Sequence, residues 1–286
     1  MYNKYQKMSK KVLEIYNSNS IIYLSTKERG YLLMRRQKIL TTLFVMVLAL
    51  QCVMTPVDTA KAATRYARSY QVMELVGRGY NGGNLGPVSI TRGYLRNGGW
   101  GGTVYLVTLS GTEFVKNQST GVWTDILAGF NLNNAYYRNV ANIVNSNVPR
   151  NSNIMFAGHS LGGMVAQQLA ADGTLKANYN IVNTLTFGSP LLAAGNREGT
   201  VIRLGDTSDI VPYASGSIIN NTAWAIAGLN KESGGYGMNA VAAHIQSYGR
   251  ADVWGAYDAV GQKGGSAYLD LDTNTTRWYQ SPTSVK

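Results

Sequence analysis

Gly158-His159-Ser160-Leu161-Gly162 sets a serine between two glycines, with a short apolar run before it at residues 153–157 and an amphipathic one after it at residues 161–171. A serine on a strand-to-helix turn is held in a strained backbone that lifts its hydroxyl clear of the sheet. Only small residues two positions to either side let strand and helix close up around it. The chemistry this suggests is nucleophilic attack by an activated serine. The pattern alone is weak, because 20 serines and 32 glycines in 286 residues give roughly 0.25 such matches by chance. Its place between a strand and a helix carries the weight.

A serine hydroxyl is a poor nucleophile without a general base, and the chain has only two histidines. His159 adjoins Ser160 on the incoming strand, where successive side chains point to opposite faces, so it is poorly placed to reach the hydroxyl. His244 is the expected base. A carboxylate must then orient the imidazole and stabilise its protonated form. In the order nucleophile, acid, base it lies between Ser160 and His244, where Asp172, Glu198, Asp206, Asp209 and Glu232 are the candidates. Asp172 ends the helix after the serine, Glu198 lies in a polar turn, and Glu232 lies in a Gly/Ser-rich loop. Asp206 and Asp209 both follow the strand expected at residues 201–204, at the sheet edge where catalytic loops gather. Asp206 reads as a turn residue after Gly205. Asp209 precedes Ile210-Val211-Pro212, which would fix its backbone, and is the preferred acid. The N–H of Leu161, directly after the serine, is an expected oxyanion donor.

No metal or other cofactor is expected. Two histidines and the single Cys52 cannot make a zinc site of normal composition. Asp270-Leu271-Asp272-Thr273-Asn274 begins like a calcium loop, but Thr275 stands where glycine is needed and Ser281 where a bidentate glutamate is needed.

The elements that must hold these groups can be read from periodicity. Residues 63–76 read as a helix, with Tyr66, Tyr70 and Met73 spaced to share a face. Residues 77–86 are Gly/Asn-rich and begin with a Gly-x-Gly-x-x-Gly match, Gly77 to Gly82. That match follows a helix-like segment and opens no helix, which argues against a dinucleotide site. Residues 104–109, 153–157, 181–187 and 201–204 read as strands, and residues 123–144 and 161–171 as helices. Alternating short apolar strands and helices predict an α/β fold with a largely parallel sheet, and no linker divides residues 63–286.

Met34-Arg35-Arg36-Gln37-Lys38, the apolar run at residues 39–54 and Ala60-Lys61-Ala62 follow the order of a secretory signal peptide. Cleavage is expected near Ala62–Ala63, with retention as a membrane anchor as the alternative. Residues 1–33 are expected to be a gene-model extension, residues 34–62 the signal peptide, and residues 63–286 the secreted domain. The net charge of +11 is concentrated at the front. Residues 1–62 hold 10 Lys+Arg against 3 Asp+Glu, while the rest holds 16 against 12. A body at only +4 does not predict a nucleic-acid partner.

These residues resemble the class 3 (fungal lipase-like) family of α/β-hydrolases over about residues 104–248. Val107-Thr108-Leu109-Ser110-Gly111-Thr112 is similar to the family's strand ending in Gly-Thr, with Leu109 in place of the common arginine. Trp123-Thr124-Asp125-Ile126-Leu127 and Gly129-Phe130 resemble its Trp-x-x-Asp-Leu and Gly-Phe steps. Thr186-Phe187-Gly188-Ser189-Pro190 resembles the segment after its nucleophile. Asp209-Ile210-Val211-Pro212 is similar to its acid motif, and His244-Ile245-Gln246-Ser247-Tyr248 to its histidine–tyrosine segment. The resemblance implies an α/β-hydrolase fold, a mostly parallel central sheet with helices on both faces, and Thr112 as a second oxyanion residue. It also implies acyl-ester hydrolysis, with lipid esters as substrates and transient contact with a lipid interface. The polar stretch at residues 113–122, where family lids lie, departs from the pattern. Residues 218–229 read as core or as acyl pocket. A phospholipase, a short-chain esterase or an acyltransferase would share the constellation. A non-enzymatic surface-binding protein, for which 19 tyrosines would suit, would not need five such residues.

Overall fold

After Asn153 every residue of the strand Asn153–His159 is buried, as a parallel strand covered on both faces must be. The computed structural model describes residues 63–80, 85–111, 135–192, 195–213 and 228–281, all within the compact unit Lys61–Lys286. Along the chain these form β1 (Thr64–Tyr66), α1 (Ser69–Gly77), β2 (Val88–Asn97), β3 (Trp100–Leu109), α2 (Ala135–Asn147), β4 (Asn153–His159), α3 (Leu161–Ala171) and α4 (Gly173–Asn178). They continue through β5 (Asn180–Phe187), β6 (Thr200–Asp206), β7 (Leu229–Glu232), α5 (Ala240–Gln246), α6 (Ala251–Trp254), β8 (Tyr268–Leu271) and β9 (Arg277–Tyr279). The sheet order is β1-β8-β2-β3-β4-β5-β6-β7, with β9 also paired to β2. The run β3 to β7 is parallel, and the flank formed by β1, β8, β2 and β9 is antiparallel.

Side-chain alternation divides the core. Met155 and Ala157 of β4 join a cluster with Val72, Val76, Tyr248 and Trp254, while Ile154 and Phe156 join one with Val140, Val144, Met164, Val165 and Leu169. The first cluster lies under α1 and α6 and the second under α2 and α3, so helices cover both faces. This is the architecture of an α/β-hydrolase. Among the described residues no helix is long and apolar enough to cross a membrane. The apolar run at residues 39–54 lies outside them.

Several expectations need correction. Residues 63–76 are not one helix, because residues 64–66 pair with β8. Arg65 forks onto Asp270 at 2.7 and 2.8 Å, and this distant pairing overrides a locally helical pattern. Gln71 Oε1 accepts from the N–H groups of Ala67 and Arg68 at 2.8 and 3.0 Å, fixing the entry to α1. The strand expected at residues 104–109 begins earlier, at Trp100, as one arm of a hairpin with β2. Asn97 faces Trp100 across a Gly98-Gly99 turn in which Gly98 has φ of 58°, the two-residue connection that matches strand twist. β2 itself went unread. Glu232 closes β7 rather than lying in a loop, and Asp206 ends β6 rather than standing in a turn. Of the helix expected at 123–144, residues 123–134 lie outside the described residues, as do 113–122 and 218–227.

The closest packing is between the strand ends and α3. A Cβ on Gly158 would lie 2.4 Å from the Gly162 carbonyl oxygen, and one on Gly162 would lie 2.1 Å from that of Leu109. Gly162→Ala should therefore cost about 1–3 kcal/mol through overpacking. Gly77→Ala, where a Cβ meets nothing within 4 Å, should be neutral or stabilising by up to about 1 kcal/mol. Urea unfolding of the two variants checks this, and equal midpoints would refute the packing argument.

Candidate active site

The C-terminal ends of β3, β4, β5 and β6 converge, and each delivers part of the site, as expected at the carboxyl edge of a parallel sheet. From β4 the chain passes directly into α3 through Ser160, at φ 55° and ψ −124°. A non-glycine residue with positive φ is strained, and persists only where its surroundings over-determine it. Here the Ser160 N–H donates to the Phe187 carbonyl at 3.0 Å and its own carbonyl accepts from Met164 N–H at 3.1 Å. Backbone atoms packed on Gly158 and Gly162, and the Ser189 side chain packed on Gly163, leave little room for the serine to relax. Leu161 is the first residue of α3, so helix geometry leaves its N–H without an intrahelical acceptor, at the positive end of the helix dipole.

β6 ends at Asp206, and a tight turn brings Asp209 inward. Asp209 Oδ2 lies 2.8 Å from His244 Nδ1, with the acid 0 % and the histidine 2 % exposed. Tyr248 donates its hydroxyl to the same oxygen at 2.6 Å, while Oδ1 accepts from Val211 N–H at 2.9 Å. Asp206, the alternative acid, is engaged elsewhere. Its carboxylate accepts from Ser208 N–H, Gly234 N–H and Ser247 Oγ at 2.8, 2.8 and 2.6 Å, so it braces the turn and the His244 helix. Asp172 caps α4 through Leu175 N–H, Glu198 accepts from Ile181 N–H, and Glu232 pairs with Lys263 and Tyr257. The structure thus joins Asp209 to His244 and sets Leu161 directly after Ser160 at the start of α3, with His159, the residue before Ser160, packed against the His244 ring. Thr112 lies outside the described residues, and its neighbour Gly111 reaches the site, where a Cβ would fall 3.0 Å from Ser160 Cβ.

Three supporting residues escaped the sequence reading. Gly188, at φ 54°, lies under the Asp209–His244 contact, where a Cβ would meet Asp209 Oδ2 at 2.9 Å and His244 Nδ1 at 3.1 Å. Arg203 is buried, and its Nη2 donates to the carbonyls of Ser189 at 3.1 Å and Pro212 at 2.5 Å, tying together the loops on either side of Asp209. Burial, with the charge of Arg197 nearby, pushes its pKa down to about 10. Gln167 of α3 donates to Pro190 O at 2.7 Å and accepts from Leu192 N–H at 3.1 Å, holding the same loop from below. A long-range clamp of this kind has no local sequence signal; only the glycine of Thr186-Phe187-Gly188-Ser189-Pro190 hinted at a close approach. His159 packs its ring 4.7 Å from that of His244 and has both ring nitrogens engaged, by Tyr80 Oη at 2.7 Å and His244 O at 2.9 Å. Burial, then the neighbouring His244, holds its pKa well below the usual histidine value. Among the described residues no three His, Cys, Asp or Glu side chains converge as metal ligands.

Residues 99–216 match the family model for lipase (class 3). No curated protein and no solved structure matched the chain.

The depressed pKa of His159 has a stability consequence. Unfolded, His159 titrates near ~6.5, whereas folded it stays neutral to lower pH. As pH falls below that value the unfolded chain gains a proton that the folded one refuses, so stability falls by up to about 1.4 kcal/mol per pH unit. Urea unfolding between about pH 5 and pH 7 should show a shallower pH slope for His159→Gln than for the parent. Identical slopes would show that His159 charges in the fold.

Proposed function

With residues 99–216 belonging to the class 3 lipase family, a lipase-type ester hydrolase, we propose that the protein is a secreted serine carboxylic-ester hydrolase of acyl lipids and related esters. On this reading Ser160, Asp209 and His244 form its triad, and the N–H groups of Leu161 and Thr112 form its oxyanion hole. The observation that carries the reading is the buried 2.8 Å contact between His244 Nδ1 and Asp209 Oδ2, beside a serine held at φ 55° on a strand–helix turn. A histidine whose Nδ1–H is committed to a carboxylate presents Nε2 as its base, the tautomer the reaction needs.

In the first half-reaction Ser160 Oγ attacks the ester carbonyl while His244 Nε2 takes its proton. The negative charge that develops on the carbonyl oxygen is met by the Leu161 N–H, which the start of α3 already orients, so little reorganisation is needed there at that moment. The imidazolium, stabilised by Asp209, then protonates the departing alcohol, leaving an acyl-serine. Water repeats the sequence and releases the acid. Tyr248 and Val211 donate to Asp209, which fixes the carboxylate in place while the charge on His244 comes and goes.

Hydrolysis of p-nitrophenyl esters from acetate to palmitate tests the reading and reports the acyl length the pocket accepts. Ser160→Ala should lower kcat by about 10⁶-fold, as loss of the nucleophile does in other serine triads. Asp209→Asn should cost about 10⁴-fold through the wrong tautomer. A folded protein with no serine-dependent turnover on any ester would overturn the proposal, and a normal rate for Asp209→Asn would remove Asp209 from it. Gly188→Ala retains every reacting group yet wedges the acid–base pair, so kcat should fall by about 10²-fold. An unchanged kcat there would mean that the pair tolerates displacement.

A further inference from the structure

Tyr80 belongs to the Gly77–Gly82 stretch, which the triad leaves without a role, and His159 is a buried imidazole that the reaction does not use. The two are joined. The Tyr80 hydroxyl accepts from Gly111 N–H at 2.6 Å and lies 2.7 Å from His159 Nδ1, while His159 Nε2 lies 2.9 Å from the His244 carbonyl oxygen. A carbonyl oxygen only accepts, so Nε2 carries the proton. A neutral imidazole protonated there offers a bare Nδ1 that can only accept, so the Tyr80 O–H must donate to it. The protons are therefore ordered from end to end: Gly111 N–H to Tyr80 Oη, Tyr80 O–H to His159 Nδ1, and His159 Nε2–H to the His244 carbonyl.

We propose that Tyr80 and His159 are positioning residues of the reaction, forming an ordered hydrogen-bond chain that fixes the end of β3 and the backbone of His244 on either side of Ser160. The role rests on the triad reading above; the chain itself does not. Three segments meet in it: Gly111, which immediately precedes the oxyanion candidate Thr112; His159, which immediately precedes the nucleophile; and His244, the base. Tyr80 is itself anchored, since Ser110 Oγ donates to Val76 O at 2.7 Å and a Cβ on Gly79 would collide with that hydroxyl at 2.1 Å. His159 is enclosed by aromatic rings, with Tyr80 at 5.7 Å, His244 at 4.7 Å and Tyr248 at 5.5 Å. Burial holds the His159 ring neutral and the Tyr80 phenol protonated, the two states that the chain requires. A chain of this kind controls where the base and the oxyanion strand sit. Its loss therefore affects the rate of the bound complex more than the binding of substrate.

The test uses the fact that the chain has only two histidines, so an imidazole ¹⁵N spectrum of the full protein contains two rings, and His159→Gln assigns them. In the parent, His159 should appear as a single neutral Nε2–H tautomer from about pH 5 to pH 8. In Tyr80→Phe the Nε2–H tautomer should persist, held by the His244 carbonyl, while the Nδ1 resonance shifts because it loses its donor. Turnover per titrated active site should fall about 10- to 100-fold in kcat for Tyr80→Phe, with KM within about twofold. His159→Gln, which keeps a donor facing the His244 carbonyl, should retain more activity than His159→Leu, which keeps none. A parent His159 that is charged or carries its proton on Nδ1 would overturn the ordered chain. A folded Tyr80→Phe with kcat within about twofold of the parent would overturn the positioning role, as would equal losses in the two His159 variants. If the parent lacks Ser160-dependent turnover, the triad reading fails and the role with it, while the tautomer spectrum still decides whether the chain exists.

Discussion

Asp209 has no exposed surface, and a carboxylate buried this way is tolerable only if donors inside the protein replace the water it has lost. Most of the site's architecture follows from that one requirement. The donors come from separate parts of the chain: Val211 from the turn that follows, His244 from α5, and Tyr248 from the segment after α5. Supplying them forces α5 to dock beside the end of β6. Tyr248 accepts from Asp206 N–H at 3.1 Å while donating to Asp209, so one hydroxyl ties the strand end to the acid. The second buried carboxylate, Asp206, draws in Gly234 and Ser247. Two buried, hydrogen-bonded aspartates thus organise a loop region that the apolar clusters alone would not specify.

The strained serine depends on the same neighbourhood. Positive φ at Ser160 is held by Phe187 O, the last carbonyl of β5, and Gly188 then turns under the acid–base pair. Arg203, through Ser189 O, and Gln167, through Pro190 O, clamp the loop that follows Gly188. The cost of the strain and of the buried charges is met by two apolar layers that close on β4 from opposite faces. Large core and polar site are therefore a single design constraint: the rigid sheet is what lets a few ångströms of loop carry unfavourable geometry.

Legibility in the sequence followed the range of the interaction. β4, α3 and the serine between them are contiguous, and their periodicities switch from strand to helix at the glycines, so local pattern sufficed; α3 runs over residues 161–171 as expected. The parallel strands β5 and β6 were visible as apolar runs, with ends extended by one or two residues. β2 was missed although its Gly98-Gly99 turn was a readable hairpin signal, because alternation is diluted by Arg92, Gly93 and Arg96. β1 was not readable: three residues take strand form only because residues 269–271 lie beside them. The same holds within the site. Spacing and chain order singled out Asp209 and His244, whereas Arg203, Gly188 and Tyr80 act through partners whose proximity exists only in the fold.

The segment through α1 and Tyr80 lies far from Ser160 along the chain yet reaches the strand end beside it. α1 is covered on its inner side by Val72, Met73 and Val76, and it delivers Tyr80 through a three-residue 3₁₀ turn directly onto the end of β3. Ser110 bonds back to the last turn of α1, which ties this helix to the strand end. The site is consequently walled on one side by parallel strands and their loops, and on the other by an element from the opposite end of the chain. Burial of a neutral imidazole between the two walls is what joins them. A charged side chain there would need a counterion, and an apolar one would leave the Gly111–Tyr80 pair and the His244 carbonyl facing hydrocarbon. A neutral side chain that donates at one edge and accepts at the other satisfies both walls, and the His159 imidazole does so by donating to the His244 carbonyl and accepting from Tyr80.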